Sequence, residues 1–163
     1  MHNPIKAHLL DRLQPQVQPM TEEEYLPLAL RTWTAPLRGT PEGHTYLVLG
    51  LLSELGEVAD VLKKAIRNGT PPEGARRRLV DELGDVLWYS TITTYEASTS
   101  ELGNLTLPTW IATIAFSGFT AESIMQWAKV VYGITADECR AANIAKLTSR
   151  AERGVIQGSG GDR

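Results

Sequence analysis

The chain has one cysteine, Cys139, among its 163 residues, so an internal disulfide, a cysteine-based zinc cluster and a dithiol redox pair are all excluded. A reducing cytoplasm is the expected setting. Histidine is also scarce: His2, His8 and His44 are scattered and read as surface residues. Long apolar runs are missing. The longest nearly uninterrupted one, Tyr46 to Leu52, is far too short to cross a bilayer, and residues 1–20 lack the apolar stretch of a signal peptide. No membrane partner is expected. Positive charge is not in surplus either. With 16 lysines and arginines against 19 acids the net charge is -3, which gives no overall reason to expect a nucleic-acid partner and points to a small anion instead.

What is present is a helical pattern. Apolar residues make up 42% of the chain, enough for one core, and the length fits one domain. Pro4, Pro15 and Pro19 suit an extended arm over residues 1–20. Thr21-Glu22-Glu23-Glu24 has capping-box spacing and opens a first helix, which Pro27 would delay or kink. A second helix is predicted from about His44 to Arg67, stopped by Asn68-Gly69. A third starts from the cap Thr70-Pro71-Pro72-Glu73 and runs to about Ala97, and the short link makes the two antiparallel. Residues 98–107 are polar and break the pattern. Residues 108–132 resume it, with an interruption at Ser117-Gly118-Phe119, a cap at Thr120 and a stop at Gly133. Thr135-Ala136-Asp137-Glu138 is a further capping box, opening a last helix to about Arg150. No strand alternates. The expected fold is all-α, an antiparallel bundle of about five helices over residues 21–151, followed by a mobile glycine-rich tail over 152–163.

Two segments resemble each other: Leu51 to Val58 and Leu79 to Val86, each carrying two acids three residues apart. On a helix that spacing puts Glu54 with Glu57, and Glu82 with Asp85, on one face about a turn apart. Such pairs are usually solvated, but the helical wheel argues otherwise here. Leu47, Leu51, Leu55, Val58, Val61, Leu62 and Ala65 share one apolar face; Glu54 lies inside it and Glu57 at its border. The third helix repeats the arrangement with Leu79, Val80, Leu83, Val86 and Leu87, with Glu82 inside the edge and Asp85 at the border. No basic residue sits in either face. Buried carboxylates without compensation cost several kcal/mol each, roughly, so a cation is needed, and hard oxygen donors favour Mg²⁺ or Mn²⁺ over zinc. A di-iron site would want Glu-x-x-His, which is absent. Gly56 and Gly84 strip side chains from beside the acids and are expected to allow close approach.

The pattern Glu-x-x-Glu, a spacer, then Glu-x-x-Asp resembles the MazG-like all-α nucleoside triphosphate pyrophosphohydrolases. Here it is Glu54, Glu57, Glu82 and Asp85, with further likeness over Tyr25 to Thr32, Gly56 to Lys64, Asp81 to Tyr89, Asn143 to Arg150 and the tail from Arg153. The resemblance implies cleavage between the α and β phosphates of a nucleoside triphosphate, giving a monophosphate and pyrophosphate. It also implies that the four acids are catalytic and metal-binding, and that the chain is a homodimer or homotetramer. Two departures stand out: Ser53 occupies a position where many members carry another glutamate, and the stretch from Tyr89 to Gly133 is longer than in minimal members.

Among the four acids Glu54 is the candidate to assist the attacking water, because its apolar surroundings raise its pKa. Asn143, Lys146 and Arg150 share a stripe of the last helix, and Lys63 and Lys64 follow the first acidic motif; all five are candidate substrate contacts. Arg76, Arg77 and Arg78, early in the third helix, read as solvated, with a phosphate or a neighbouring subunit's acid as the alternative. Trp33, Trp88 and Tyr89 read as core aromatics before base-stacking ones. Cys139 reads as inert. A pyrophosphohydrolase is the leading function. The alternatives are a nucleotide-binding regulator that does not turn over and a helical interaction protein that binds neither metal nor nucleotide.

Overall fold

The computed structural model describes residues 18–34, 37–69, 72–99 and 121–154. Among them every regular element is a helix: α1 (Glu22–Thr32), α2 (Pro41–Asn68), α3 (Pro72–Thr99), α4 (Ala121–Tyr132) and α5 (Ala136–Glu152). The fold is all-α, as expected. Most of the predicted arm and tail, the cap at Thr70-Pro71, the interruption at 117–119 and the helical pattern before Ala121 lie outside the described residues.

The helix ends follow local chemistry. At α1 the Thr21 side chain accepts from the Glu24 backbone N–H and the Glu24 carboxylate accepts from the Thr21 N–H, so the box closes in both directions. Pro27 neither delays nor breaks this helix. It costs the Glu23 carbonyl its helical donor, and Glu23 is exposed, so water can satisfy that oxygen. Helix α2 begins three residues before the predicted His44. Thr40 accepts from Gly43 N–H at 3.1 Å and Pro41 occupies the first turn, a cap signature of the same kind as the one read at Thr70. Its stop at Gly69, φ 61°, is the expected left-handed cap. Gly133, φ 65°, ends α4 in the same way. At α5 only half of the predicted box forms: Thr135 caps Glu138 N–H, but the Glu138 carboxylate is taken by Arg76 of α3, with both contacts at 2.7 Å.

Helix α3 is central and packs against each of the other four. It runs antiparallel to α2, because Gly50 and Tyr46, early in α2, meet Tyr89, late in α3. One apolar cluster, including Val58, Val61, Leu79, Leu83, Val86, Ile124, Met125, Ile134 and Cys139, joins α2, α3, α4 and α5. A second, around Tyr25, Ala29, Trp33, Leu47 and Ile92, fastens α1 to the other end of the α2–α3 pair. Trp33 is buried in it and Trp88 and Tyr89 pack on it, so the three aromatics belong to the core. Cys139 is buried and its thiol is pushed up to about 12, first by desolvation, which keeps it inert. His44, read as a surface residue, is half-buried in the first turns of α2. No helix among the described residues is long and apolar enough to cross a membrane.

The segment joining α1 to α2 is held by an acid that the sequence pattern did not single out. Glu96, 4% exposed near the end of α3, accepts from Trp33 Nε1 at 3.1 Å and from Gly39 N–H at 2.7 Å, with Arg38 Nε at 3.6 Å. Replacing it by alanine strands a buried indole N–H and a backbone N–H. The expected result for Glu96→Ala in urea unfolding is a loss of about 2 kcal/mol or more, with the helical spectrum retained. A loss below about 0.5 kcal/mol would show that these donors find other acceptors.

Candidate functional site

Glu54 comes from the middle of α2, and Glu82 and Asp85 from successive turns of α3, so the antiparallel pairing brings their carboxylates across one seam. One oxygen from each lies within 4.8 Å of the others, and all three side chains are half-buried. Glu57 stands outside this convergent set, at the border of the α2 face, yet its charge raises the pKa of both Glu54 and Glu82. The four acids read from the sequence are therefore gathered in one region, three in direct convergence and one at the margin.

Helix α5 completes the site. Lys146 Nζ donates to Asp85 Oδ2, and Asn143 Nδ2 donates to Asp85 Oδ1 at 2.7 Å. Asn143 is itself 1% exposed, and its Oδ1 accepts from the Tyr25 hydroxyl at 2.9 Å. Gly84 is what lets α5 come this close. A Cβ there would lie 2.9 Å from the Cys139 carbonyl oxygen and 3.0 Å from Asn143 Cβ, so a methyl would push the backbone of α5 away from Asp85. Gly56 plays no such part, since a Cβ there meets nothing within 4 Å. The close approach of α2 to α3 is instead at Gly50, where the Tyr89 ring takes the space that a Cβ would need. Burial first, then Tyr46, then the charges of Glu54 and Asp85 raise the Tyr89 hydroxyl.

Compensation for the acids is partial. Among the described residues the cation bonded to the cluster, Lys146, arrives from α5, while Arg78 of α3 acts on Glu82 by charge without a bond. Glu54 is pushed up to about 7, first by burial and then by Asp85 and Glu82, with Lys146 pulling the other way. Glu82 is raised for the same reasons, burial first and Asp85 second. Among the described residues, Lys146 in contact and Arg78 at longer range against four carboxylates leave a cation deficit. The donors are hard oxygens without sulfur or imidazole, a set that fits Mg²⁺ or Mn²⁺.

The other predicted contacts are placed differently. Lys63 and Lys64 are held by Asp60, at 3.0 and 2.5 Å on the same helix, and that pairing keeps the Asp60 carboxyl down at about 2. Asn143 is inside the protein with both ends of its amide engaged, so in this geometry it acts on Asp85. Arg150 lies a turn beyond Lys146, half-buried. Arg76 is not merely solvated, because it pairs with Glu138 of its own chain. Tyr25 lies in the stretch Tyr25 to Thr32 that carries the family likeness, but its place at the site depends on tertiary pairing with Asn143, which no local spacing shows.

In the cation-free protein the folded state holds a proton on Glu54 up to about pH 7, while an unfolded glutamate releases it near 4.5. The folded state binds the extra proton in that window, so stability falls as pH rises from about 4.5 to about 7. With a chelator present, the thermal midpoint should drop between about pH 5 and about pH 8, drop less in Glu54→Gln, and recover on adding Mg²⁺. A flat profile that Mg²⁺ leaves unmoved would contradict this electrostatic picture.

Residues 42–115 match the MazG nucleotide pyrophosphohydrolase domain. The chain is also similar to the Gene 37 protein of Mycobacterium phage L5, with 33% identity over 124 residues, covering 75% of this chain and 78% of that protein. No solved structure gives a significant match. Since the matched region contains both acid-bearing helices, and the phage relative aligns over most of either chain, the protein belongs to the MazG nucleotide pyrophosphohydrolase family.

Proposed function

We propose that the protein is a divalent-cation-dependent nucleoside triphosphate pyrophosphohydrolase, cleaving between the α and β phosphates of ribo- or deoxyribonucleoside triphosphates to give a monophosphate and pyrophosphate. The observation that carries this reading is the convergence of Glu54, Glu82 and Asp85 oxygens within 4.8 Å, on helices inside the matched family domain. These three, with Glu57 at the margin, would hold Mg²⁺ or Mn²⁺. A cation there would screen the polyphosphate from the carboxylates, acidify a water and stabilise charge on the reacting phosphoryl group.

The chain's own groups divide the remaining work. Glu54, set among the most apolar neighbours of the four, would assist the attacking water, and a bound cation would lower its pKa so that it acts as the free carboxylate. Lys146 and Arg150 would meet phosphate oxygens; for Lys146 this means giving up Asp85. Lys63 and Lys64 would join them only by leaving Asp60. Asn143 contributes by holding Asp85. Assembly as a homodimer or homotetramer belongs to the same reading, and the exposed apolar side chains of Val130 and Val131 on α4 supply surface that such a contact would cover. The reaction needs neither nucleic acid nor membrane, and a cytoplasmic setting suits it.

The test is pyrophosphate release from a panel of ribo-, deoxy- and modified nucleoside triphosphates with Mg²⁺. Activity should vanish with chelator and return with Mg²⁺, and Asp85→Asn and Glu54→Gln should each lose about a hundredfold or more while staying folded. Both variants at wild-type rate would remove the site from the chemistry. Cation-dependent nucleotide binding without pyrophosphate would favour the regulator, and binding of neither would favour the interaction protein.

A further inference from the structure

Tyr25 is fully buried in the cluster that fastens α1 to the bundle, yet its hydroxyl does not end in the core. It donates to Asn143 Oδ1 at 2.9 Å, and Asn143 Nδ2 donates to Asp85 Oδ1 at 2.7 Å. The direction of this relay follows from donor chemistry. A carboxylate only accepts, so the Asn143 amide must turn its NH₂ toward Asp85, which leaves its carbonyl oxygen needing a donor. Asn143 is 1% exposed, so water is a poor substitute. Burial and the nearby Asp85 charge push the Tyr25 hydroxyl well above its ordinary range, so it remains a donor at every working pH.

We propose that Tyr25 is a positioning residue for the cation site. By satisfying Asn143 Oδ1 it locks the amide in the one orientation that anchors Asp85 Oδ1, and so fixes the plane in which the Asp85 carboxylate faces Glu54 and Glu82. Without the hydroxyl the buried amide has an unmet acceptor, and turning it over would set one oxygen against another at Asp85. This inference rests on the reading of the acid cluster as a divalent-cation site.

Tyr25→Phe keeps the packed ring and removes only the relay. With Mn²⁺ as the probe, counted as free ion by its paramagnetic resonance signal, Tyr25→Phe should raise the dissociation constant about tenfold. Its kcat should fall more than its KM rises, because the defect lies in the cation site. In an Asn143→Ala background the same change should have no further effect on Mn²⁺ affinity, since neighbours in one relay are not additive. Ile92→Val, in the same cluster, should lower stability and leave Mn²⁺ affinity unchanged, which separates positioning from general loosening. In the unaltered protein, the Asn143 side-chain amide protons should shift on Mg²⁺ addition, a measurement that needs no variant. Wild-type affinity in Tyr25→Phe, a full effect surviving in Asn143→Ala, or amide protons that ignore Mg²⁺ would overturn the positioning role and leave the cation site standing. Absence of Mn²⁺ binding by the wild type would overturn the site itself and the relay with it.

Discussion

Mutual repulsion among carboxylates held in a half-buried seam is the constraint around which this molecule is arranged. Glu54, Glu82 and Asp85 converge because the helices carrying them pack by their apolar faces, and the acids sit within or beside those faces. Hydrophobic burial thus drives together groups that electrostatics would part. The cost shows in the raised pKa values of Glu54 and Glu82, set first by burial and then by the neighbouring carboxylates, and Lys146 relieves only part of it. A fold selected for stability alone would place leucine at Glu54. Keeping an acid there makes sense when the site has a cation to hold.

The same constraint explains the third wall. Helix α5 brings an amide and an ammonium to the two oxygens of Asp85, and it reaches them because position 84 lacks a side chain. Lys146 and a divalent cation compete for the same negative charge. On the proposed function, a cation that took over Asp85 would free Lys146 for phosphate, and substrate binding would then be coupled to the filling of the site. Helix α1 enters through Tyr25 and Asn143, so all four helices from α1 to α3 and α5 bear on one carboxylate.

Much of this was legible before any coordinates, for identifiable reasons. Capping chemistry is local, so Thr21, Gly69, Gly133 and Thr135 marked helix ends within a residue or so. The wheel position of Glu54 told that it turns inward, because α2 has one broad apolar face and no choice of which side to bury. What remained hidden was pairwise. Arg76 and Glu138 are 62 positions apart, Tyr25 and Asn143 are 118 apart, and no spacing rule reaches that far. The pairing of Lys63 and Lys64 with Asp60 is of another kind: Asp60 lies three and four residues before them, a local signal that the sequence carries. Gly56 was grouped with Gly84 by sequence symmetry, but only α3 has a helix crossing at that turn.

The central claim is that these acids share a divalent cation, and diffraction at the manganese absorption edge tests it most directly. Crystals grown with Mn²⁺ should show an anomalous peak bounded by oxygens of Glu54, Glu82 and Asp85, with Lys146 withdrawn from Asp85. Saturating Mn²⁺ with no peak in that seam, and Lys146 still bonded to Asp85, would contradict the account.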